Sequence, residues 1–426
     1  MVVPDINLED TRFDIHAMER RFTAAKREKQ PTPASAKSST TTVTQQPPDA
    51  NADQPEESLL ESMVDNAGSL DVDDQGKWDY HGHSSGIIFM RRLRNQLSDI
   101  DAQGVLPQFR PIGQTLESPR SYLESPHETV GVPTLDLPSR QVAMRLCRNA
   151  LEIGCALMRF VHEPSFYAMV GHVYDTAPEN YTNQENSFIP LLYIVLSVGS
   201  LFSGTGEDML DLSGYESAID QGFHFFKAGR SLLDITDCRD LTSLQAICFM
   251  VIFLQSSAKL STCYSYVGIA LRSALRLGLH RTVNTKFNPL ERELRKRVFW
   301  VIRKMDVYTS TLLGLPQMLS LDDIDQEYPL VIDDEFITPE GILPSPPDRT
   351  PLMAGANAHA RLTNIVMKVV KYIYPVKNLK YRSKSDGGYM VSHSRIREIE
   401  RDLQSWMEEL PSALRPGMEV SLPLER

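Results

Sequence analysis

The stretch from Ser261 to Pro329 is predicted to form two helices joined by a short loop, and the second helix constrains the fold most. Asn288 suits the N-cap of that helix, Pro289 suits its first position, and Glu291 can reach back to the cap. Gly314 is placed to end it. Between these ends, apolar residues recur at steps of three and four, which places them on one helical face. The members of this face are Leu290, Leu294, Val298, Val301, Met305, Tyr308 and Leu312.

Large side chains beside that face, such as Phe299 and Trp300, predict that the second helix is buried on more than one side. The first helix of the pair is predicted to pack closely against its neighbour, because Gly268 and Ser273 have small side chains and let a neighbouring backbone approach. Gly278 is placed to end the first helix. The pair therefore predicts a packed helical core.

The rest of the chain is also predicted to be helical, and we expect an all-α fold. A helical stripe from Val142 to Val161 follows Ser139, a suitable N-cap. Further helices are predicted at about 187–203, 214–234, 241–256, 353–373 and 393–409. No run alternates strictly with a period of two, so we expect no substantial sheet. The stretch from Val331 to Arg349 contains four prolines and is predicted to be an exposed loop.

Residues 1–76 are predicted to be a long, mostly disordered, acidic and polar region. No Lys or Arg occurs from residue 38 to residue 76, and acidic residues there are interspersed with apolar ones. This composition is typical both of activation segments and of plain acidic linkers, and the sequence leaves that choice open. Residues 77–138 are predicted to hold a short box before the domain and a proline-rich linker, and residues 139–426 the helical domain.

Eleven residues in and after the two helices resemble a known pattern. They are Gly278, Leu279, His280, Arg281, Arg297, Trp300, Asp306, Gly314, Pro316, Asp325 and Pro329. Their order resembles the central regulatory domain of the fungal zinc binuclear cluster transcription factors, of the xylanolytic-activator type. The segment Tyr80-x-Gly82-x-Ser84-Ser85 resembles a box that precedes that domain, and His162-x-Pro164-Ser165-Phe166 resembles its entry.

The resemblance implies a transcription regulator in the nucleus that contacts the transcription machinery or a corepressor and has a possible small-molecule effector. In that family, six cysteines in an N-terminal cluster hold two zinc ions and contact DNA. This chain has five cysteines, the first at Cys147, and no two stand at the two-residue gap of such a cluster. We therefore expect no cofactor in this chain, and we expect zinc to be bound only if an upstream cysteine cluster exists. DNA contact is expected only through a missing N-terminal module or through a partner.

Segments near both ends of the chain can be compared with the architecture of the resembled family. A further helical segment usually follows the Trp406 to Pro411 stretch in the family, so we expect the domain to be incomplete at its C-terminus. A truncated competitor of full-length factors is therefore an alternative function. The charged segment Asp14–Lys29 is the one candidate remnant of a dimerisation element.

Two groups of charged residues in and after the second helix could suggest other functions. The basic run of the second helix could suggest a DNA site: Arg292, Arg295, Lys296, Arg297, Arg303 and Lys304. We expect these residues instead to pair with Asp322, Asp323 and Asp325 or to cover neighbouring helices with their stems. These three acids faintly resemble a magnesium-binding cluster, but a second ligand set is missing, so we expect no catalytic residues and no enzyme. A non-catalytic helical interaction scaffold remains an alternative.

Metal and membrane binding are not expected either. His81 and His83 stand at alternate positions in a loop without an acidic or thiol partner at suitable spacing, so they predict no metal site. The longest nearly apolar run, from Phe188 to Phe202, is shorter than the about 20 residues of a membrane-spanning helix. A net charge of −11 argues against the chain as a whole being a polyelectrolyte partner of nucleic acid.

Overall fold

The computed structural model describes the chain in several ranges, all of which fall within one compact unit of residues 56–426. The ranges are 59–61, 68–72, 78–91, 136–203, 212–257, 259–283, 287–346, 349–375 and 390–415. The Asp14–Lys29 segment and most of the predicted proline-rich linker lie outside them. Two short strands lie inside residues 1–76, and the remainder of that predicted disordered region lies almost wholly outside the described residues.

Helices dominate the described residues, which confirms the predicted all-α fold. They are α1 (Arg140–Arg148), α2 (Glu163–Asp175), α3 (Asn183–Leu201), α4 (Leu212–Leu232), α5 (Leu241–Ser256), α6 (Leu260–Arg276), α7 (Pro289–Leu313), α8 (Leu352–Ile373) and α9 (His393–Glu409). Residues 86–91 are also helical. No helix in these ranges is both long and apolar enough to cross a bilayer.

Helix α2 is the one long helix that the sequence analysis missed. The predicted stripe from Val142 to Val161 is helical only as far as Gly154, because α1 continues into a π-helical turn and then stops. The chain then extends so that Phe160 can bury its ring 4.7 Å from that of Phe249. Pro164 does not end a helix but sits in the first turn of α2, where a missing N–H costs nothing.

The centre of the domain is formed by α3 and α5, which are buried along most of their lengths. Thr182 and Glu185 form a capping box at the start of α3, and the Asp240 side chain caps α5 by accepting from the Ser243 N–H at 2.8 Å. Gly199 lets α3 approach α1 closely, since a Cβ there would lie 2.0 Å from the Leu146 carbonyl oxygen.

Helix α7 lies between this centre and an outer layer. It packs against α5 and α6 on one side and α8 on the other, and α9 packs against α8. The Trp406 indole donates to the Ala358 carbonyl at 2.8 Å, and Lys368 bridges to Glu398 and Asp402, which ties α9 to α8. The second predicted helix of the 261–329 stretch is therefore the element that joins the two layers.

Within the described residues, the strands form two small antiparallel pairs. β1 (Leu59–Glu61) pairs with β4 (Met390–Ser392), and β2 (Ser69–Val72) forms a hairpin with β3 (Trp78–His81). Both pairs bring residues that precede the helical domain in sequence onto the same compact unit as the helices.

Candidate functional site: the buried polar face of α7

The two signature glycines end their helices as the sequence predicts. Asn288 Oδ1 accepts from the Glu291 N–H at 2.8 Å at the start of α7, and Gly314, with φ of +70°, ends the helix. Gly278, with φ of +69°, follows α6, and the Leu279 N–H bonds back to the Ala274 carbonyl at 3.0 Å. Both positions need the left-handed backbone that glycine adopts without strain.

The turn after α6 meets the segment after α7. The Asp325 N–H donates to the His280 carbonyl at 3.2 Å, and the Asp325 carboxylate pairs with Arg281 at 3.0 Å. Gln326 Nε2 donates to the Leu279 carbonyl at 2.9 Å. Asp325 therefore fixes one loop against another.

Trp300 holds the same segment from beneath. Its side chain is buried, its ring stacks on that of Tyr328 with centroids 4.1 Å apart, and its Nε1–H donates to the Glu327 carbonyl at 2.8 Å. Pro329 is buried beyond it, and its carbonyl accepts from Asn357 of α8 at 2.7 Å. The segment 325–329 is thus bonded to the turn after α6, to α7 and to α8 at once.

Asp306 ties a second loop to α7. Its carboxylate is fully buried, accepts from the Met318 N–H at 3.1 Å and from the Ser310 hydroxyl at 3.3 Å, and burial raises its pKa. The carbonyl of Pro316, in the same loop, accepts from the Tyr264 hydroxyl at 3.0 Å. The loop that follows Gly314 is therefore folded back onto both helices of the pair.

Arg297 is the centre of a buried ion network. Its guanidinium is 2.5 Å from Asp334 and 3.4 Å from Glu293, and the Glu293 carboxylate also accepts from the Leu330 N–H at 2.9 Å. Burial raises the pKa of Glu293, and the charge of Arg297 opposes that rise.

The network extends to the start of α2. Asp334 accepts from the Glu163 N–H at 2.9 Å through its carboxylate and from His162 Nε2 at 3.0 Å through its carbonyl. His162 Nδ1 accepts from the Ser165 N–H at 3.3 Å, so this histidine caps α2. The interpretation of Val331–Arg349 as an exposed loop is wrong around Asp334, because the stretch is anchored by these bonds and by the buried Ile337.

The basic run of α7 does not pair as predicted. Lys296 pairs with Glu327 at 2.7 Å and Arg297 with Asp334, whereas Asp322 and Asp323 face solvent on a 3-10 turn. In the described ranges neither of these two acids forms an ion pair with α7. The carboxylates that do pair lie further along the chain, where the loop turns back over the helix.

The two basic residues in the middle of α7 are buried without any carboxylate partner in the described part of the chain. The Lys304 ammonium donates to the Leu157 carbonyl at 2.5 Å, and burial lowers the pKa of Lys304 to about 7. Arg303 is fully buried, and its one polar contact is a 2.8 Å approach of Nη2 to the Met367 sulfur. Arg303 and Lys304 are therefore not available to contact DNA, whereas Arg292, in the first turn of α7, is exposed.

The Tyr80-x-Gly82-x-Ser84-Ser85 box docks on the C-terminal end of α7. The Gly82 N–H donates to the Leu313 carbonyl at 3.0 Å, and a Cβ on Gly82 would lie 1.8 Å from the Gly314 oxygen. Ser85 is fully buried, and His83 Nε2 lies 3.0 Å from the Tyr374 carbonyl of the segment after α8. The box can therefore dock here only because Gly82 and Gly314 carry no side chains, and it is part of the folded unit.

The described residues do not fit a metal cluster. They hold no group of three or more His, Cys, Asp or Glu side chains placed to bind one ion. All five cysteines, at 147, 155, 238, 248 and 263, are buried free thiols whose pKa burial raises. They lie in the hydrophobic core and do not form a metal-binding group.

Sequence reasoning missed the partners of α7 more often than α7 itself. Asp334, Glu327, Asn357 and Met367 lie in loops or on α8, at distances along the chain that no helical period connects. The one signal for Asp334 was its position in a proline-rich segment, which indicated exposure.

Comparison with known proteins gives one family model and several relatives. The model described as the fungal specific transcription factor domain matches residues 154–408. "Activator of stress genes 1" of Saccharomyces cerevisiae is 41% identical over 286 residues, covering 66% of this chain and 29% of that protein. "Activator of stress genes protein 1" of Candida albicans is 39% identical over 317 residues, covering 72% of this chain and 32% of that protein.

A more distant relative is "Transcriptional activator protein acu-15" of Neurospora crassa, which is 28% identical over 291 residues, covering 68% of this chain and 29% of that protein. The match to each of these curated relatives spans about a third of its length. No solved structure matches the chain.

Proposed function

This chain belongs to the fungal specific transcription factor domain family, and from that premise we propose that it is the regulatory domain of a transcription regulator acting in the nucleus. The domain has no catalytic role in this proposal. It contacts the transcription machinery or a corepressor and responds to a small-molecule effector.

The observation that carries the proposal is the way α7 joins separate parts of the domain. Its N-terminal half holds the start of α2 through Arg297 and Asp334, and its C-terminal end holds the box through Leu313 and Gly314. Its middle faces α8 through Arg303 and Met367. Because these contacts all lie on one helix, we expect a change at one contact to shift the positions of the elements held by the others. A domain that relays a signal requires such coupling.

DNA contact in this proposal comes through a zinc cluster module of a longer protein, or through a partner. Four of the six basic residues of α7 that could suggest a DNA surface are buried, and the chain carries a net charge of −11. We expect the chain alone to give no specific binding to duplex DNA in fluorescence anisotropy. Tight binding that weakens steeply with added salt would contradict this part of the proposal.

The test of regulation is a reporter assay with the whole chain fused to a heterologous DNA-binding domain. We expect reporter output to differ from that of the DNA-binding domain alone and to change again in Arg297→Met, which breaks the network around Asp334. Arg140→Met is the matched control, because this arginine pairs with Asp175 and both side chains are more than half exposed. Unchanged output from the fusion would favour the interaction scaffold instead.

A further inference from the structure

We propose that Arg303 forms an internal binding site for a small organic carboxylate, and that the Met367 side chain closes this site in the structure described here. The inference deepens the proposed function, since it names the chemical class of the effector. Its test measures binding directly and does not depend on any transcriptional readout.

No carboxylate among the described residues forms an ion pair with Arg303, although the buried charge of Asp306 acts on it. Its side chain is fully buried, and Nε and Nη1 have no hydrogen-bond partner. Asp306 lies one turn further on, but its carboxylate is occupied by the Met318 N–H and the Ser310 hydroxyl. A buried guanidinium without an anion is costly, so a protein that retains one has a use for it.

Arg297, two turns earlier on the same helix, shows how this domain buries an arginine that serves only structure. It is as buried as Arg303, yet two carboxylates, Glu293 and Asp334, lie against it. The two arginines therefore differ in the anion and not in burial. The lack of a carboxylate in direct contact with Arg303, whose Nε and Nη1 have no hydrogen-bond partner, is the observation that points to a ligand.

The Met367 sulfur occupies the position that a carboxylate would take. The guanidinium presents its N–H groups in a rigid fork, and Nη2 is the nitrogen that both edges of the fork share. The sulfur lies 2.8 Å from Nη2 and is a weak acceptor. Moving the sulfur away frees an edge of two parallel N–H donors, which is the geometry that binds a carboxylate.

The same side chain is the natural gate. Met367 is partly exposed on α8, whereas Arg303 beneath it is not. A methionine side chain is unbranched and turns about three bonds, so it can swing aside without a shift of the helix. Access to Arg303 therefore needs a rotamer change at one residue.

The neighbours of Met367 indicate the rest of the ligand. Asn364 lies one turn away on the same face of α8, and one of its amide atoms, Oδ1, has no partner. Its Nδ2 donates to the Tyr328 hydroxyl at 3.3 Å, and the Tyr328 ring stacks on Trp300. Because Oδ1 is an acceptor, it does not bind a carboxylate, and the charged end of a ligand would be held by Arg303 alone. The Tyr328 ring, which lies close enough to Arg303 to act on it electrostatically, offers an aromatic surface to a short organic group.

A phosphate fits the site less well. Arg303 is a single cation whose charge is already partly offset by Asp306, and the next buried cation on α7, Lys304, is turned to the Leu157 carbonyl. The positive charge at the site is therefore too small for a dianion. We therefore assign the site to a monocarboxylate and keep inorganic phosphate as the contrasting probe.

The experiment uses the full chain with straight-chain monocarboxylates from acetate to hexanoate. Melting temperature and titration calorimetry are measured against sodium chloride at matched ionic strength and against inorganic phosphate. We expect at least one carboxylate to raise the melting temperature and to bind with measurable heat, and phosphate to do neither. If no carboxylate has an effect beyond that of chloride, or phosphate binds as well, the proposal is overturned.

Two variants sharpen the test. Arg303→Met removes the charge and keeps the bulk, so it should abolish the carboxylate response while leaving the ligand-free protein at least as stable as wild type. Met367→Ala removes the gate and should tighten carboxylate binding severalfold, which keeps the proposal falsifiable if Arg303→Met fails to fold. A response retained in Arg303→Met, or a marked loss of its ligand-free stability, would show that Arg303 has a structural partner instead and would reject the site.

Discussion

Helices α5 and α7 are buried to a similar degree, but they are buried by different means. Residues 244–254 of α5 are all buried, and Gln245 is the one polar residue among them; its amide donates to the Phe160 carbonyl at 2.8 Å. The buried residues of α7 include six charged side chains: Glu293, Lys296, Arg297, Arg303, Lys304 and Asp306. Apolar contact is non-directional, whereas each buried charge needs a partner at a fixed distance.

This difference teaches what each helix contributes. The free energy of burying α5 stabilises the domain without specifying contacts to particular loops. The polar face of α7 fixes the box, the start of α2 and the segment 325–334 in set positions. Changes to the residues that bond to α7 should therefore alter both the stability of the domain and the positions of these segments. A matched change at an exposed site should do neither.

The largest effect is expected for Trp300→Ala, which removes both a buried ring and its hydrogen bond. Loss of the indole from the core should lower the free energy of unfolding by about 3–5 kcal/mol. Urea unfolding followed by circular dichroism measures this. Trp78→Ala is the control, because that indole is 67% exposed and its loss should cost about 0.5 kcal/mol or less. Equal effects of the two changes would contradict the burial of Trp300.

A loss nearly as large is expected for Arg297→Met, although the new side chain is apolar and of similar length. The change leaves Glu293 and Asp334 without their cation, and uncompensated buried charge costs about 3–5 kcal/mol, less what the methionine recovers by packing. Arg140→Met removes a solvent-exposed pair with Asp175 and should cost about 0–1 kcal/mol. If Arg297→Met unfolds at the wild-type urea concentration, α7 is stabilised in the same way as α5.

A smaller loss, about 1–3 kcal/mol, is expected for Gly82→Ala. The added methyl group would meet the Gly314 backbone, so the box must separate from the end of α7. Limited trypsin digestion should then cleave faster after the exposed Arg91. Gly341→Ala is the matched control, since nothing lies within 4 Å of a Cβ at that position. Unchanged proteolysis and stability in Gly82→Ala would show that the box is not held at this contact.

Most of the fold was predictable because periodicity and caps are local signals. The apolar run of α5 and the Asn288 and Gly314 ends of α7 specify their helices without reference to the rest of the chain. Helix α2 was not predicted, since a proline such as Pro164 in the first turn of a helix and one beyond its end look alike until the buried Phe160 shows where the chain turns.

The partners of α7 were not predictable, for a physical reason. Asp334 lies 37 residues from Arg297 along the chain, and the pair forms only after the loop folds back over the helix. Composition indicated that the basic residues needed acids, but three acids at 322–325 were nearer in sequence than the acid that does pair. Choosing among them requires the path of the loop, which a pattern of apolar residues does not contain.

The smallest predicted effect isolates a single buried cation of α7, Lys304. Burial lowers the pKa of Lys304 to about 7, whereas a lysine in the unfolded chain keeps a pKa of about 10.4. Between these values the unfolded state binds more protons than the folded state, so the contribution of Lys304 to stability rises with pH. From pH 7 to pH 8 the rise should be about 1 kcal/mol, as one group moves from half to nearly full deprotonation.

The buried thiols act in the opposite direction, so the variant Lys304→Met is needed to separate the two. Burial raises the pKa of Cys155 to about 12, while a thiol in the unfolded chain ionises near pH 8.5, which lowers stability as the pH rises further. Both proteins share these thiols, and the neighbouring His359, whose pKa burial lowers to about 4, is neutral in both above pH 7. The wild-type free energy of unfolding minus that of Lys304→Met should therefore rise between pH 7 and pH 8. A flat difference would mean that Lys304 keeps its proton and that an anion lies against it, as one does against Arg297.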